Sequence, residues 1–363
     1  MIFTAVIPNF NHGKLLPRAV TALMAQRPLP TEIFIINDGS TDNSRLVIEA
    51  LQSRFDCIRS IHHEQNRGVV AGMNEGLQAA KGDFVYFAAA DDFALPRLFA
   101  HARDALCEHA SAAFFCGRVV LVSPEGDILG FRPFMQPSAN AAMLTPADVR
   151  DRIASSDQWC VGPAVIYRRT QLLEAGGFDE SMGAFSDGII VRKLALESGF
   201  YFDPTIVAAW QIYPNSLSAR SALSVAENIR IVRKAVEEVK QTYPIDIRNP
   251  YADWLSRRLR FNMARLWLIF ERGDIDVGGL AEVLEFRGYV RKILEFAARL
   301  PFAHYFLLLW MVLVLRPYGI GAVLTGSYRA IKARLLETKT TRLAIARARA
   351  ATLDPAVRLA SSK

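Results

Sequence analysis

The chain has 363 residues, of which 51% are hydrophobic and 22% charged, and its formal net charge is +7. This length suits one large α/β domain with a helical annex, and the mean hydropathy of +0.15 suggests some membrane contact. The cysteines form no CxxC pair and no zinc-ligand spacing with histidine, which argues against a zinc protein and favours reduced, mostly buried thiols at Cys57, Cys107, Cys116 and Cys160.

The positive charge is concentrated near the end of the chain. Residues 327–363 contain nine basic and two acidic residues, which accounts for the whole net charge of +7. A basic segment on a balanced body indicates an anionic surface as partner, and the body does not resemble a nucleic-acid binder. The first residues show no secretory signal, so we expect the catalytic part to lie in the cytoplasm.

The first ninety residues alternate between short apolar runs and amphipathic stretches. Helical spacing of apolar residues follows the first and second runs, and it recurs before the fourth. This alternation predicts a mostly parallel, nucleotide-binding type of sheet flanked by helices. The predicted strands are 3–7, which Pro8 ends, and then 33–36, 58–61 and 84–87.

The expected nucleotide site lacks the common glycine motifs. No GxGxxG follows the first strand and no GxxxxGK[ST] occurs, which argues against a dinucleotide dehydrogenase and a P-loop enzyme. Asp38 ends the second strand, where its carboxylate could accept hydrogen bonds from a base or a ribose. The backbone from Pro8 to Asn11 would form the opposite wall. Alternatively, the stretch is only a turn in which Ser40 and Asp42 cap a helix.

Two acids follow the fourth predicted strand. Asp91 and Asp92 come at its carboxyl end, where open α/β sheets bind their ligands. Adjacent carboxylates repel each other, and a divalent metal is the simplest compensation. A solvated turn, or a cap by Asp92 on a helix near Pro96, is the alternative.

Four ordered segments, VIPNFN, IINDGSTDNS, NRGVVAGMNEGLQAAKGDFVYF and AADD, resemble the donor-binding half of the family 2 glycosyltransferases with the GT-A fold. The resemblance continues through GGFDE to about residue 218. It implies a nucleotide-sugar donor, usually a uridine one, and a divalent metal, Mn²⁺ or Mg²⁺.

The resemblance also assigns roles to individual residues. Asp38 matches the acid that contacts the base, and Asp91 matches the second acid of the DXD motif, which meets the metal. Asp92 is expected to share the metal with Asp91. Ala89 replaces the motif's first acid, and Tyr213 stands where many relatives have a metal-binding histidine. The segments that line the nucleoside pocket contain Pro8, Asn9, Asn11, Asn66, Gly68 and Asn74.

The acceptor side is expected between residues 159 and 187, with a strand at 161–167. In similar enzymes the acid matching Asp187 is the general base, although Ser186 replaces the usual neighbouring Glu. Such a base must be a carboxylate free of the metal. The alternative is that Ser186 or Asp187 only caps the helix that follows.

The chain beyond residue 220 is predicted to be helical, which gives three segments: 1–220, 221–300 and 301–363. The run 302–315 is apolar but shorter than the roughly 20 residues that span a membrane. It therefore predicts a re-entrant or in-plane segment, or a buried core helix, and extending it to 324 would enclose Arg316. Basic and apolar residues alternate at 328–336, which favours a helix lying on anionic lipid.

Together these features predict an inverting transferase on the cytoplasmic face of the membrane that moves a sugar to a hydroxyl of a lipid-linked or cell-surface glycan. The expected partners are the donor, the acceptor and an anionic membrane surface. A second copy of the chain is a further candidate partner, and nucleic acid is not expected. Two alternatives stay open. One is a polyprenyl-phosphate sugar synthase, which needs no base, and the other is a non-catalytic scaffold.

Overall fold

A computed structural model describes residues 1–133, 135–153, 156–157, 159–213, 224–270, 276–299, 303–317, 341–342 and 345. The chain divides into two compact units. The first contains 1–149, 158–212 and 326–363, and the second contains 150–157 and 213–325. These units are defined by packing, and the three segments predicted from the sequence stay predictions.

The first unit begins with a parallel sheet in the order β3-β2-β1-β4. Its inner residues are fully buried, and each buried Leu, Ile or Phe side chain contributes about 1.5–3 kcal/mol. The elements are β1 (Phe3–Asn9), α1 (Leu16–Met24), β2 (Glu32–Asp38), α2 (Ser44–Arg54), β3 (Ile58–His63), α3 (Val69–Ala79) and β4 (Phe84–Phe87). The predicted alternation of strands and helices is therefore confirmed.

Strand β1 does not end at Pro8, contrary to the prediction, but continues to Asn9. The bond from the Ala88 N–H to the Val6 carbonyl shows that Val6 faces β4, and Pro8, two residues on, faces the same way. Pairing with β4 stops at Val6. The N–H that proline lacks would therefore have no partner in the sheet, so its absence costs little.

The following elements extend the sheet with mostly antiparallel pairs, in the order β4-β9-β6-β10-β5. Strand β9 starts at Val165 rather than 161, because residues 162–164 form a 3-10 turn. The elements are β5 (Phe93–Ala94), α4 (Leu98–Glu108), β6 (Phe114–Val122), β7 (Ile128–Arg132), β8 (Ala142–Leu144), α5 (Pro146–Ile153), β9 (Val165–Arg168), α6 (Arg169–Glu174), α7 (Ser186–Ser198) and β10 (Phe200–Gln211).

The second unit contains helices packed around their own apolar core. Phe261, Leu284, Leu294, Leu307 and Met311 belong to this core, each at most 9% exposed. The helices are α8 (Val225–Thr242), α9 (Ile245–Phe270), α10 (Val277–Val283), α11 (Gly288–Ala297) and α12 (Ala303–Leu315). Among the residues described, no helix combines the length and apolar character needed to cross a membrane.

The predictions about the four cysteines and about residues 328–336 are tested only in part. The four cysteines are free, as expected, but Cys116 alone is buried and Cys107 is exposed on α4, so the thiols are not mostly buried. The predicted amphipathic helix at 328–336 lies outside the described residues. Nearby, Ile345 is 4% exposed and packs in a cluster with Phe93.

Candidate active site

The loops after β1 and β2 are held together by amide side chains. The Asn9 amide lies 2.9 Å from Ser44 Oγ and 3.2 Å from Asn37 Oδ1, and it is buried. Asn11 adopts a left-handed φ of 56° and its Oδ1 accepts the Thr41 N–H at 2.8 Å. Pro8, Asn9 and Asn11 therefore lie beside the turn at 37–42, and the prediction that the two segments form opposite walls of a nucleoside site stays a prediction.

Asp38 organises the start of α3. Its Oδ1 accepts the Arg67 N–H and its Oδ2 accepts the Gly68 N–H, each at 2.8 Å. A carboxylate offers about four acceptor positions, and His63 uses a third. One position is left for a ligand donor, so the predicted base contact is compatible with this role and stays a prediction.

His63 bridges two carboxylates. Its Nδ1 lies 2.7 Å from Asp38 Oδ1 and its Nε2 lies 2.5 Å from Glu75 Oε2. Both contacts favour a ring that carries a proton on each nitrogen, because a carboxylate accepts hydrogen bonds. The bond to Asp38, followed by that to Glu75, raises the pKa of His63.

Sequence reasoning assigned no functional role to His63 and did not anticipate this bridge. The bridge could have been predicted from the strand register. Parallel pairing of β2 and β3 places His63 opposite Asp38 at the carboxyl ends of both strands. The positive imidazolium therefore lies against the acid predicted to contact the base.

The segment before α3 and the helix itself carry the remaining predicted pocket residues. Asn66 is exposed and accepts the Gly68 N–H at 3.0 Å. The Asn74 amide donates to the Phe178 carbonyl at 2.8 Å and accepts the Phe178 N–H at 2.9 Å. Both ends of Asn74 thus position the Gly177–Phe178 backbone, a role that sequence reasoning missed. Its lining of a nucleoside pocket stays a prediction.

The two acids after β4 have different environments. Asp92 is 6% exposed and its Oδ1 accepts the Gln211 N–H at 2.8 Å. Burial, and then the charge of Asp91, raise the pKa of Asp92 well above its usual range. Asp91 is partly exposed. Asp92 is therefore less accessible to a metal than Asp91, and its role as a metal ligand stays a prediction. Asp92 does not cap α4, because the N-cap position of that helix is Arg97.

The donor set around Asp91 fits a metal held jointly with a substrate. Within the described part of the chain, no group of three His, Cys, Asp or Glu side chains could enclose an ion. One carboxylate, diphosphate oxygens and water together supply the oxygen ligands that Mn²⁺ and Mg²⁺ accept. Asp91 is the residue that would hold the ion, and this assignment stays a prediction.

Asp187 lies in the first turn of α7 with its side chain partly buried. Burial raises the pKa of its carboxyl group, while the Gly188 N–H and the Arg192 charge oppose the shift. The Arg192 guanidinium lies over the Phe185 ring, 5.3 Å from its centroid and within the roughly 6 Å of a cation–π contact. Phe185 occupies the N-cap position of α7, so neither Ser186 nor Asp187 is its N-cap residue. The bond from the Gly188 N–H to the Asp187 carboxyl group lies in the first turn, so a helix-stabilising role for Asp187 stays an alternative.

The surroundings of Asp187 are closely packed. A Cβ atom on Gly162 would lie 3.0 Å from Asp187 Oδ2, so a larger residue there would push the carboxylate out of its present position. Burial, followed by the Asp187 charge, raises the pKa of the buried Tyr167 well above its usual range. A carboxylate in such a place has the raised pKa that suits a general base.

A parallel half-sheet that ends in polar loops is the architecture of an α/β protein that binds a nucleotide-type ligand at the carboxyl ends of its strands. Residues 4–155 match the sequence profile of glycosyl transferase family 2. An uncharacterised glycosyltransferase of Nostoc sp., alr2836, is 31% identical over 235 residues, 62% of this chain and 70% of that protein. The chain belongs to glycosyl transferase family 2 and is a glycosyltransferase.

Solved structures show the same fold. Staphylococcus aureus TarS, residues 1–349 in complex with UDP, superposes with a TM-score of 0.56 at 16% identity, covering 78% of this chain and 80% of that one. The mannosyltransferase PcManGT from Pyrobaculum calidifontis, in complex with GDP-Man and Mn²⁺, gives a TM-score of 0.53 at 15% identity, covering 93% and 87%.

Proposed function

We propose that the chain is an inverting glycosyltransferase that moves a sugar from a UDP-linked donor to a hydroxyl group, with Asp187 as general base and Mn²⁺ or Mg²⁺ at Asp91. The acceptor is a lipid-linked or cell-surface glycan. The observation that carries this proposal is the raised pKa of Asp187, a carboxylate separate in sequence and environment from the acids after β4.

The donor preference follows from Asp38. Its one remaining acceptor position suits the ring N–H of a pyrimidine base, and TarS has been crystallised with UDP and with UDP-GlcNAc. The GDP-Man bound by PcManGT keeps guanosine as the competing base. The backbone of residues 8–11, which is fastened to the 37–42 turn by Asn11, would bound the nucleoside on its other side.

The chemistry requires few side chains. Asp187 accepts the proton of the acceptor hydroxyl as that oxygen attacks the anomeric carbon, and the nucleoside diphosphate leaves from the opposite face. Asn74 holds the backbone at Phe178, before the turn that leads to Asp187. A bound divalent cation would neutralise charge on the departing diphosphate.

The phosphate-acceptor alternative is less well supported. A polyprenyl phosphate is already ionised and needs no base. A desolvated carboxylate such as that of Asp187 would therefore have no catalytic role in that reaction. Replacement of Asp187 by Asn distinguishes the two reactions, because it should abolish transfer to a hydroxyl and largely spare transfer to a phosphate.

The donor and metal assignments are tested by thermal shift with UDP and GDP, each with and without Mn²⁺. Wild type should gain the largest melting-temperature increase with UDP and Mn²⁺ together. Asp91→Asn should lose the Mn²⁺-dependent part. Asp92→Asn is the matched control and should keep it, because the Asp92 carboxyl group is buried and accepts the Gln211 N–H. A retained shift in Asp91→Asn would contradict the metal site, and a larger shift with GDP would replace uridine by guanosine.

A further inference from the structure

Helix α12 is apolar on all sides but packs on only one. Its sequence, AHYFLLLWMVLVL, contains no Asp, Glu, Lys or Arg. One stripe at four-residue spacing is buried in the core of the helical unit, at Ala303, Leu307, Met311 and Leu315. Leu309 and Leu313 nevertheless remain 61% and 64% exposed.

Helix α11 repeats this arrangement. Leu294 and Ala297 are fully buried, whereas Tyr289, Ile293 and Phe296 are 84%, 44% and 66% exposed. Three large apolar side chains at this spacing share one side of a helix. We call the exposed apolar surface of the two helices the α11–α12 face, which consists of Tyr289, Ile293, Phe296, Phe306, Leu309, Val312, Leu313 and Val314.

The width of the exposed surface on α12 argues against a single protein partner. At 3.6 residues per turn, the exposed side chains of α12 cover an arc of about 200° around the helix axis, with Val312 at one edge of the arc and Val314 at the other. A helix that packs on another protein element uses an apolar stripe roughly 100° wide. A fluid apolar medium can cover the wider arc, and a helix in a membrane interface presents such a surface.

The charged residues around the α11–α12 face indicate what kind of surface binds to it. From 286 to 317 the chain has five basic residues and one acid, and that acid, Glu295, pairs with Arg291 at 3.0 Å. Arg287, Lys292, Arg299 and Arg316 are exposed. In a symmetric dimer the same patch meets itself, so these charges would repel each other. Anionic lipid headgroups would attract them.

We propose that the α11–α12 face docks the helical unit on a bilayer containing anionic phospholipid, with α12 lying in the plane of the headgroup boundary. At 1.5 Å per residue the 13 residues of α12 extend about 20 Å, less than the roughly 30 Å hydrocarbon core. The proposal is independent of the transferase chemistry.

The test is flotation of the full-length protein with phosphatidylcholine vesicles, prepared with and without phosphatidylglycerol. Wild type should float with the anionic vesicles. The double variant Leu309→Asp/Leu313→Asp should bind them more than tenfold less, because two exposed leucines that would enter the lipid become charged. The control Leu46→Asp/Leu129→Asp, at 64% and 49% exposure on the first unit, should float like wild type.

Two further measurements keep the test decisive. An unchanged melting temperature of the double variant shows that it has folded, and Lys292→Gln/Arg316→Gln should remove the preference for phosphatidylglycerol in a chain with an intact apolar face. The proposal is overturned if wild type stays in the soluble fraction or if the Leu309→Asp/Leu313→Asp variant floats normally. It is also overturned if light scattering shows a wild-type dimer that this variant converts to a monomer.

Discussion

Replacement of Asp187 by Asn should make the protein a slower but more stable enzyme. Burial raises the pKa of the Asp187 carboxyl group above its usual value of 3.8, so the ionised form costs folding free energy. Asparagine has nearly the same shape and no charge. Below the usual pKa the two proteins should be equally stable. As pH rises through the raised pKa, wild type ionises and loses stability, whereas Asp187→Asn does not.

The kinetic effect has the opposite direction. A positioned general base contributes about 10²–10⁴ in rate, so its loss should lower kcat by that factor, or about 2.7–5.5 kcal/mol. The donor KM should change little, because Asp187 is placed on the acceptor side and no donor contact is assigned to it. The wild-type rate should rise with pH as Asp187 ionises, and this rise should be absent from the variant.

Both effects can be measured on one preparation, by nucleoside diphosphate release and by melting temperature across about pH 5–8. Asp203→Asn is the matched control, because the pKa of Asp203 is lowered whereas that of Asp187 is raised. Burial alone would raise the pKa of Asp203, but hydrogen bonds from His101 and Thr205 lower it. Its ionised form therefore stabilises the fold, and Asp203→Asn should melt lower at neutral pH with unchanged kcat. The reasoning is refuted if Asp187→Asn keeps near wild-type kcat, or if its stability advantage shrinks as pH rises.

Two other changes test the donor side. His63→Gln removes the imidazolium that joins Asp38 and Glu75, so it should raise the donor KM and lower stability. Because the pKa of His63 is raised, this stability is present at acidic pH and is lost as pH rises through that pKa; a gap in melting temperature that widens at alkaline pH would contradict the bridge. Asn74→Ala breaks two bonds to Phe178 and should cost about 1–3 kcal/mol, with a drop in kcat, as measured by chemical denaturation and initial rates. Unchanged kcat in this variant would show that the Phe178 backbone does not position the acceptor side.

Local patterns were sufficient to predict the first half of the fold. Strand and helix periods in the first ninety residues, and polar residues where strands end, placed Asp38 and Asp91 at one edge of a sheet before any contact was known. The antiparallel half was not anticipated. Strand β9 lies between β4 and β6, and no local signal tells a buried apolar run which neighbours it will pair with.

Contacts between residues far apart in the sequence limit how much of the candidate site can be predicted from the sequence. Asn74 and Phe178 are 104 positions apart, and Asp92 and Gln211 are 119 apart. The sequence showed Asn74 as a polar residue on a helix, a description that fits a ligand contact and a backbone clamp equally well. Only the fold decides which backbone groups the amide meets.

The acids Asp91 and Asp92 show how one electrostatic problem can have two solutions. Repulsion between adjacent carboxylates was expected to require a cation, with both residues sharing it. Burial of Asp92 and the charge of Asp91 raise the pKa of Asp92, so a proton on Asp92 is a second way to relieve the repulsion. Asp91 is partly exposed and is the more accessible of the two carboxylates. A single carboxylate holds a divalent cation weakly by itself, so firm binding requires the oxygens of the donor diphosphate. Metal and donor should therefore bind together, and product release should free both.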